Sequence, residues 1–502
     1  MRLKVHLGTL TIRRWHISLL KRLAARPGLC VAVEVSPSGT QGPSDLSVPN
    51  LELLFQLEML IHGIPRDGLA SKVSPAKLAP FQRSAGAFDL VLDLSGDAGP
   101  QDCRIWRLAF SGLSGENALL GLLVNGQSPV AEILESQTTI AVGRLGTEYN
   151  GILLATFEDI LARTITLILA AFAGAANSKL PPIPPDIPSQ KVAGQISTRS
   201  LTIQALKELT FRISSIIYHL CYNSPHWRVG WREIIGLDTI ELGRHPASGW
   251  RDLPDDGTRF YADPFPIQFQ DRLTLFVEDF EHKTAKGVIS AVSFTTQGPV
   301  GRPEPVLELS YHLSYPFVFV EEGQAWMIPE STTAGSIDLF RATSFPGGWV
   351  KEATLVTSVV ASDPTLLHHH GRWWMFATVR DGGGAFSDAL HLWSAPHFRG
   401  PWVPHPRNPV LIDIASARPA GRIVVRNGTL FRPVQDCRQG YGQALGIARI
   451  LKLDESCFEQ EVDTILTSGP AWRGSRVHTL NSAGGVEFID GSRRSSWVFG
   501  QR

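Results

Sequence analysis

The chain alternates apolar and polar positions in two rhythms. Up to about residue 178, apolar runs of strand length take turns with stretches whose apolar positions recur every three or four residues. "RLKVHLG" predicts a first strand, "RRWHISLLKRLAA" a helix, and "GLCVAVEVS" and "AFDLVLDLSG" two further strands. Strand and helix in turn imply a mostly parallel sheet. "TFEDILARTITLILAAFAG" predicts a buried helix, with Thr156 as its N-cap and Glu158 and Asp159 in its first turn. The Pro-rich "SKLPPIPPDIPSQ" then excludes a helix or central strand and reads as a semi-rigid spacer. "SLTIQALKELTFRISSIIYHLCYN" predicts an amphipathic helix that packs on the following domain or bridges the two. From about Trp227 the rhythm changes to short apolar or aromatic runs bounded by Gly, Asn and charged turns, which read as strands. The expected domains are 1–178, α/β; 179–225, linker and helix; and 226–502, all β.

The second part repeats itself. "FYADPFPIQFQDRLTLFVEDF", "LSYPFVFVEEGQAWMIPES", "ASDPTLLHHHGRWWMFAT" and "SARPAGRIVVRNGTLFRPVQD" each hold a residue before Pro, a short run, a turn and a second apolar run. The X-Pro pairs begin at Asp263, Tyr315, Asp363 and Arg418, spaced 52, 48 and 55 residues apart. "VHTLNSAGGVEFIDG" is a weaker fifth copy without Pro. A period near 50 marks a propeller or solenoid, and four strands in each of five copies predict a five-bladed β-propeller. The start of each innermost strand and the end of the next then lie at one mouth. That mouth gathers Asp263 with Glu278 and Asp279, Tyr315 with Glu330, Asp363 with Thr378 and Arg380, Arg418 with Gln435 and Asp436, and His478 with Asp490. The opposite mouth receives ordinary hairpin loops.

Crowded carboxylates suit glycoside chemistry. One carboxylic acid protonates the leaving oxygen and a carboxylate activates water or attacks. A like charge raises one pKa into the acid role while an Arg holds another group ionised. Each residue also has a plain structural reading. Asp before Pro is common turn chemistry. Glu330 could be a solvated strand end, Glu278 a blade-to-blade ion pair, and Arg418 a partner for strand-end carbonyls or for Asp413. The run His368–His370 sits on a tight turn, where adjacent side chains do not converge on one ion, so no metal site is expected there. Trp326, Trp373, Trp374, Trp393 and Trp402 read mostly as blade core, with one or two free to stack on a sugar at the mouth. "GENALLG" and "DGGGAF" lack the strand-to-helix setting of a phosphate cradle.

The repeat region resembles the five-bladed propellers of the arabinanase, levansucrase and invertase superfamily. Through "YADPF", "HLSYPFVF", "MIPES", "WWMFAT", "GPWVPHPRNPV", "ARPAG" and "RPVQDC" it resembles more closely the region preceding the transferase domain of plant glucosamine inositolphosphorylceramide transferases. The resemblance implies a sugar-related module and does not carry over that domain's transfer activity. By match to the superfamily, Asp263 corresponds to the base or nucleophile and Asp363 to the Asp that tunes the acid. Glu330 is the expected acid, with Glu278 behind it. Arg418 would grip substrate, and Tyr315, Gln435, Asp436 and His478 complete the substrate-binding set. Some relatives hold a central cation near a His placed like His478; no other cofactor is implied. The first 178 residues resemble a formyltransferase N-terminal domain through "FDLVLDLSG" and "IWRLAFSG". The matching "RIWRLAFSGLSGEN" has no His, which argues against folate-dependent formyl transfer.

Composition narrows the rest. Lys plus Arg and Asp plus Glu are 47 each, so neither nucleic acid nor an anionic membrane is an expected partner. No apolar run is long enough to span a bilayer. Five scattered Cys and an N-terminus without a signal-like core lead to a cytoplasmic expectation. Sugar polymers are commonly cleaved outside the cell, so a cytoplasmic enzyme would act in glycan or glycolipid synthesis or on imported oligosaccharides. Three functions fit: a carbohydrate-active enzyme working in the propeller pit, a non-catalytic glycan-binding module, and a glycosyl- or formyl-type transferase using the first domain. In each the partner is a carbohydrate or glycoconjugate.

Overall fold

The computed structural model describes residues 1–8, 11–35, 50–82, 87–99, 101–182, 199, 201–207, 209–210, 222–223, 225–467, 469, 476–492 and 495–496. The first unit is one mixed sheet of β1 (Arg2–Leu7), β2 (Cys30–Val35), β3 (Leu90–Asp93), β4 (Arg104–Phe110), β5 (Leu113–Ser114), β6 (Val130–Glu135) and β7 (Thr138–Arg144). Its order is β2-β1-β3-β4-β6-β7, with β5 beside β4. Strands β1 to β4 run parallel through three pairings, and β6 and β7 close the edge antiparallel. Helices α1 (Arg14–Ala24), α2 (Leu51–His62), α3 (Glu116–Val124) and α4 (Leu153–Phe172) cover it.

Helix α4 is buried on nearly every side: it packs on β6, β7 and the three other helices, and its Arg163 reaches Val379 O, Ala385 O and Asp388 of the propeller. Thr156 is not its cap. The helix begins at Leu153, and the Glu58 carboxylate of α2 accepts from the amides of Leu153 and Leu154. A buried carboxylate supplies what a local hydroxyl would have supplied. The Pro-rich segment from 183 to 190 lies outside the described residues, as does most of the helix expected after it. Leu201 and Ala205 pack into the core of the first unit, so this part of the helix sits on the sheet unit and not on the propeller.

Short β8 (Tyr222–Asn223) pairs with β30 (Ser495–Ser496). Five antiparallel sheets, four of four strands and one of five, then form the propeller. Blade one is β11 (Arg259–Phe269), β12 (Arg272–Glu281), β13 (Lys286–Thr295) and β14 (Gly298–Leu307). Blade two is β15 (Ser314–Glu321), β16 (Gln324–Glu330), β17 (Ser336–Ser344) and β18 (Gly347–Thr357). Blade three is β19 (Ala361–His369), β20 (Arg372–Val379), β21 (Ala389–Ala395) and β22 (Val403–Pro404), with β23 (Leu411–Ile412) added to β21. Blade four is β24 (Val424–Arg426), β25 (Thr429–Asp436), β26 (Ala444–Leu453) and β27 (Phe458–Leu466).

Blade five differs from four strands in sequence. The C-terminal hairpin β28 (Leu480–Ala483) and β29 (Val486–Ser492) takes its outer strands from β9 (Trp227–Glu233) and β10 (Arg251–Asp252). The register Val486↔Glu233 to Ser492↔Trp227 joins the two ends of the propeller and leaves no open edge there. Phe488 lies in the core between this closure and blade one, edge-on to Phe294 at 4.9 Å. Phe488→Ala is expected to destabilise the protein by about 3–5 kcal/mol, read as a lower urea midpoint; an unchanged midpoint would show that the closure carries little of the stability.

Candidate active site

The X-Pro echoes are bulges. The pairing of the first two strands slips between Ala262 and Phe265 in blade one, Ser314 and Phe317 in blade two, and Ser362 and Thr365 in blade three. At each slip the residue before Pro is left-handed, with φ 49° at Asp263, 42° at Tyr315 and 55° at Asp363. Non-glycine residues rarely sit there, and such strain concentrates at functional sites. The bulge turns the backbone N–H of each toward a neighbouring blade. Asp263 N donates to Asp490 Oδ2 at 2.8 Å, Tyr315 N to Asp263 Oδ2 at 3.1 Å and Asp363 N to Glu330 Oε2 at 2.9 Å. Arg418 is not such a bulge: its segment only bridges β25, through Pro419 and Val434.

The register places the second ring as expected. Glu278 stands opposite Ala262, Glu330 opposite Ser314, and Thr378 opposite Ser362. Gln435 and Asp490 hold the corresponding places in blades four and five. Asp263 Oδ1 accepts from Thr479 Oγ1 at 2.9 Å, and Asp490 Oδ1 pairs with His478 Nδ1 at 2.6 Å. Arg418 grips Asp363, with Nε to Oδ2 at 2.6 Å and Nη2 to Oδ1 at 3.4 Å, and its Nη2 lies 3.5 Å from Glu330 Oε2. Gln435 Nε2 donates to the same Asp363 oxygen at 3.0 Å. The buried Oγ1 of Thr378 has no hydrogen-bond partner among the described residues. Tyr315 points its hydroxyl into the axis, 2.9 Å from Thr365 Oγ1 and accepting from Gly421 N at 2.8 Å; it braces the channel.

Adjacent strand residues face opposite sides, so one of each acidic or polar pair leaves the cluster. Asp279 turns to Arg259 and Ser290. Asp436 is held by Arg438 Nε and Nη2, so this expected substrate-binding residue is engaged by its own loop. Arg380 donates to Gly384 O. Asp413 is not Arg418's partner, because Arg144 of the first unit takes it at 2.5 Å. Glu330 is no solvated strand end, being 9 % exposed. The tryptophans singled out above pack into the blade cores. The mouth aromatics are instead Trp227, stacked on His478 at 4.1 Å, and Tyr441, whose ring lies 4.8 Å from the Arg418 guanidinium. Gly442 permits this closeness: a Cβ there would stand 2.9 Å from Trp227 and 3.0 Å from His478. Neither aromatic had a repeat or spacing to mark it.

Burial dominates the electrostatics. It pushes Glu278 and Glu330 well above the usual carboxylate range, aided at Glu278 by the charges of Asp263 and Asp490, and at Glu330 by Asp363. Asp263 rises to about 6, through burial partly offset by His478 and reinforced by Asp490 and Asp363. His478 is raised: burial opposes its charge, and Asp490 and Asp263 outweigh it. His312 stands at the rim. Its Nδ1 accepts from Gly287 N, so in the neutral ring Nε2 carries the proton facing Glu278 Oε1 at 3.3 Å.

Asp263, His478 and Asp490 bring possible ligand atoms within 4.8 Å of one another. A central cation fits poorly there. Asp490 Oδ1 already accepts from Thr479 N and pairs with His478, and its Oδ2 accepts from Asp263 N. Asp490 and Asp263 instead draw a proton toward His478, whose pKa they raise against the effect of burial.

Every raised group here favours the folded state at lower pH. A carboxyl that stays protonated when folded loses that contribution once the unfolded chain ionises, between 3.8 and about 6 for Asp263 and further up for the two Glu. His478 contributes below 6.5 and its share is lost as pH rises through its raised value. Urea stability is therefore expected to fall from mildly acid to alkaline pH, with a shallower fall in Glu330→Gln. A stability that rises with pH over that window, or an unchanged slope in the variant, would contradict the assignment.

Comparison with known proteins follows the propeller. Residues 253–487 match the family model described as glucosamine inositolphosphorylceramide transferase 1, N-terminal. The chain is 33% identical over 253 residues to glucosamine inositolphosphorylceramide transferase 1 of Arabidopsis thaliana, covering 48% of this chain and 33% of that protein. It is 33% identical over 285 residues to the protein of that name from Oryza sativa subsp. japonica, covering 54% and 37%. The chain thus spans about a third of the length of these curated relatives. Among solved structures it is similar to a family 117 glycoside hydrolase of Zobellia galactanivorans, at 13% identity over 53% of this chain and 91% of that one, TM-score 0.35. A thermostable family-43 glycoside hydrolase is similar at 14% identity over 43% and 78%, TM-score 0.32. Over residues 253–487, then, this five-bladed propeller is similar in sequence to the N-terminal region of the plant glucosamine inositolphosphorylceramide transferases.

Proposed function

We propose that the propeller is carbohydrate-active and that its pit processes a glycosidic bond. One observation carries this reading. Glu330, Glu278 and Asp263 form one buried cluster in which burial and mutual repulsion push the two Glu carboxyls well above the usual range and Asp263 only to about 6, while Asp363 is clamped by Arg418. A protonated carboxyl beside an ionised one is the pairing that glycoside chemistry uses. Glu330 is the proton donor to the leaving oxygen. Asp363 and Arg418 tune it from 2.9 to 3.5 Å away. Asp263, held at a left-handed bulge by Thr479 and Tyr315, is the base or nucleophile. Glu278 and the Thr378 hydroxyl, which has no partner among the described residues, offer hydrogen bonds to sugar hydroxyls, and Trp227 and Tyr441 offer an aromatic wall. The substrate is a carbohydrate or glycoconjugate.

Transfer to an acceptor is a second reading, favoured by one feature. The loop between β7 and α4 reaches the propeller beside this pit, where Glu148 accepts from Ser387 Oγ at 2.8 Å. The curated relatives carry a transferase name, which fits the same reading. A glycan-binding module without chemistry would need none of the protonated carboxyls.

Mass spectrometry of products separates these. Wild type and variants are incubated with furanosides, pyranosides and nucleotide sugars, with and without acceptor sugars. Asp263→Asn and Glu330→Gln are each expected to lower turnover by about 10²–10⁴-fold. Free sugar would mean hydrolysis and an extended acceptor would mean transfer. Turnover that survives in both variants would remove the pit from the chemistry. Binding of a panel sugar without turnover would favour the module.

A further inference from the structure

The segment "DGGGAFSD", Asp381 to Asp388, links β20 to β21 and has no place in the pit chemistry above. It is clamped by the first unit. Gly382, Gly383 and Gly384 all have left-handed φ, at 70°, 116° and 85°. A Cβ on Gly383 would lie 3.0 Å from Ala162, and one on Gly384 3.0 Å from the Arg163 guanidinium, so α4 runs directly over the strap. Arg163 and Asp388, both fully buried, pair at 2.7 Å across the seam. Gly146 N donates to Asp388 Oδ2 at 3.1 Å. Glu148 Oε1 accepts from Phe386 N at 3.0 Å and from Ser387 Oγ at 2.8 Å. The buried Ser387 Oγ in turn accepts from Arg418 Nη1 at 3.3 Å, on the guanidinium that grips Asp363.

We infer that the first unit is part of the pit's working machinery, with Glu148 a positioning residue that fixes Arg418 through the Ser387 hydroxyl. The reason lies in the donor count. A serine hydroxyl has one proton and two lone pairs. With Glu148 as a fixed acceptor, that proton points away from the pit and a lone pair faces Arg418. Without Glu148 the hydroxyl proton can turn to other partners, the neighbouring Cys437 sulfur among them, and the third nitrogen of the guanidinium loses its oriented acceptor. Asp363 then keeps only the Nε and Nη2 side of the fork, and its geometry toward Glu330 loosens. The inference rests on the reading of the pit only in taking Arg418 as a residue that acts on Asp363 and Glu330.

The test needs no substrate. Full-length protein carrying ¹⁵N-arginine is studied by NMR, and the Arg418 Nε–H signal is identified by its loss in Arg418→Lys. Its hydrogen exchange with water is compared in wild type, Glu148→Ala, Glu148→Gln, Ser387→Ala and Asn177→Ala. Asn177 serves as a seam control, since its Nδ2 donates to Val410 O at 2.6 Å with no bond to the strap. Glu148→Ala and Ser387→Ala are expected to speed the exchange by about tenfold or more, as loss of a hydrogen bond on a charged group implies. Glu148→Gln, whose amide oxygen can still accept the hydroxyl proton, is expected to stay near wild type, and Asn177→Ala to leave the signal unmoved. Wild-type exchange in the Ala variants, or equal loosening in Asn177→Ala, would overturn the inference. Should Glu148→Ala not fold, Ser387→Ala against Glu148→Gln makes the same comparison. A failed turnover assay would overturn the proposed chemistry and leave this result standing.

Discussion

Desolvation of negative charge at the propeller axis is the constraint on which the rest depends. Asp263, Glu278, Glu330, Asp363 and Asp490 are all buried in one cluster at the axis, with Arg418 and His478 bonded to members of it. Isolated buried carboxylates would be prohibitive, so the site either neutralises them with protons or surrounds each with donors. It does both. Asp490 and Asp263 receive backbone and hydroxyl hydrogens from the neighbouring blades, Asp363 receives Arg418 and Gln435, and burial pushes Glu278 and Glu330 toward their protonated forms. The left-handed bulges make this possible, because only a slipped register frees those amides from their own sheet.

The same constraint ties the two halves of the molecule together. Arg418 must be held at a fixed angle to serve Asp363, and its remaining nitrogen meets a serine on a strap that the propeller does not stabilise alone. Three left-handed glycines and a buried Arg163–Asp388 pair press that strap against α4. Breaking a buried pair of this kind costs several kcal/mol because it strands a charge, and α4 is accordingly buried on both flanks. The seam continues through Arg144 with Asp413 and Asn177 with Val410, so the sheet unit meets the propeller along blades three and four.

The propeller was legible because the X-Pro pairs recur at a regular spacing, and three of them mark the same local bulge. Asp263, Tyr315 and Asp363 announce it, and alternation along the next strand carries Glu278, Glu330 and Gln435 to the same mouth. Arg418 repeats the dipeptide without the bulge, since its segment makes only a bridge to β25. Blade five was legible only as a weak hairpin. Its outer strands come from residues more than two hundred positions earlier, and no local pattern marks β9 as the partner of β29. Long-range polar choices were likewise hidden. Glu58 caps α4 in place of Thr156, Arg144 takes the Asp413 that sequence offered to Arg418, and Trp227 rather than the blade tryptophans lines the mouth. Each is a contact between segments whose separate sequences favour several partners equally.

Infrared difference spectroscopy of the carboxyl region at neutral pH tests the account at its centre. Wild-type protein is compared with Glu278→Gln and Glu330→Gln under the same conditions. A protonated, water-shielded carboxyl absorption is expected in wild type and is expected to diminish in each variant. Full ionisation at neutral pH, with no such absorption to lose, would contradict it.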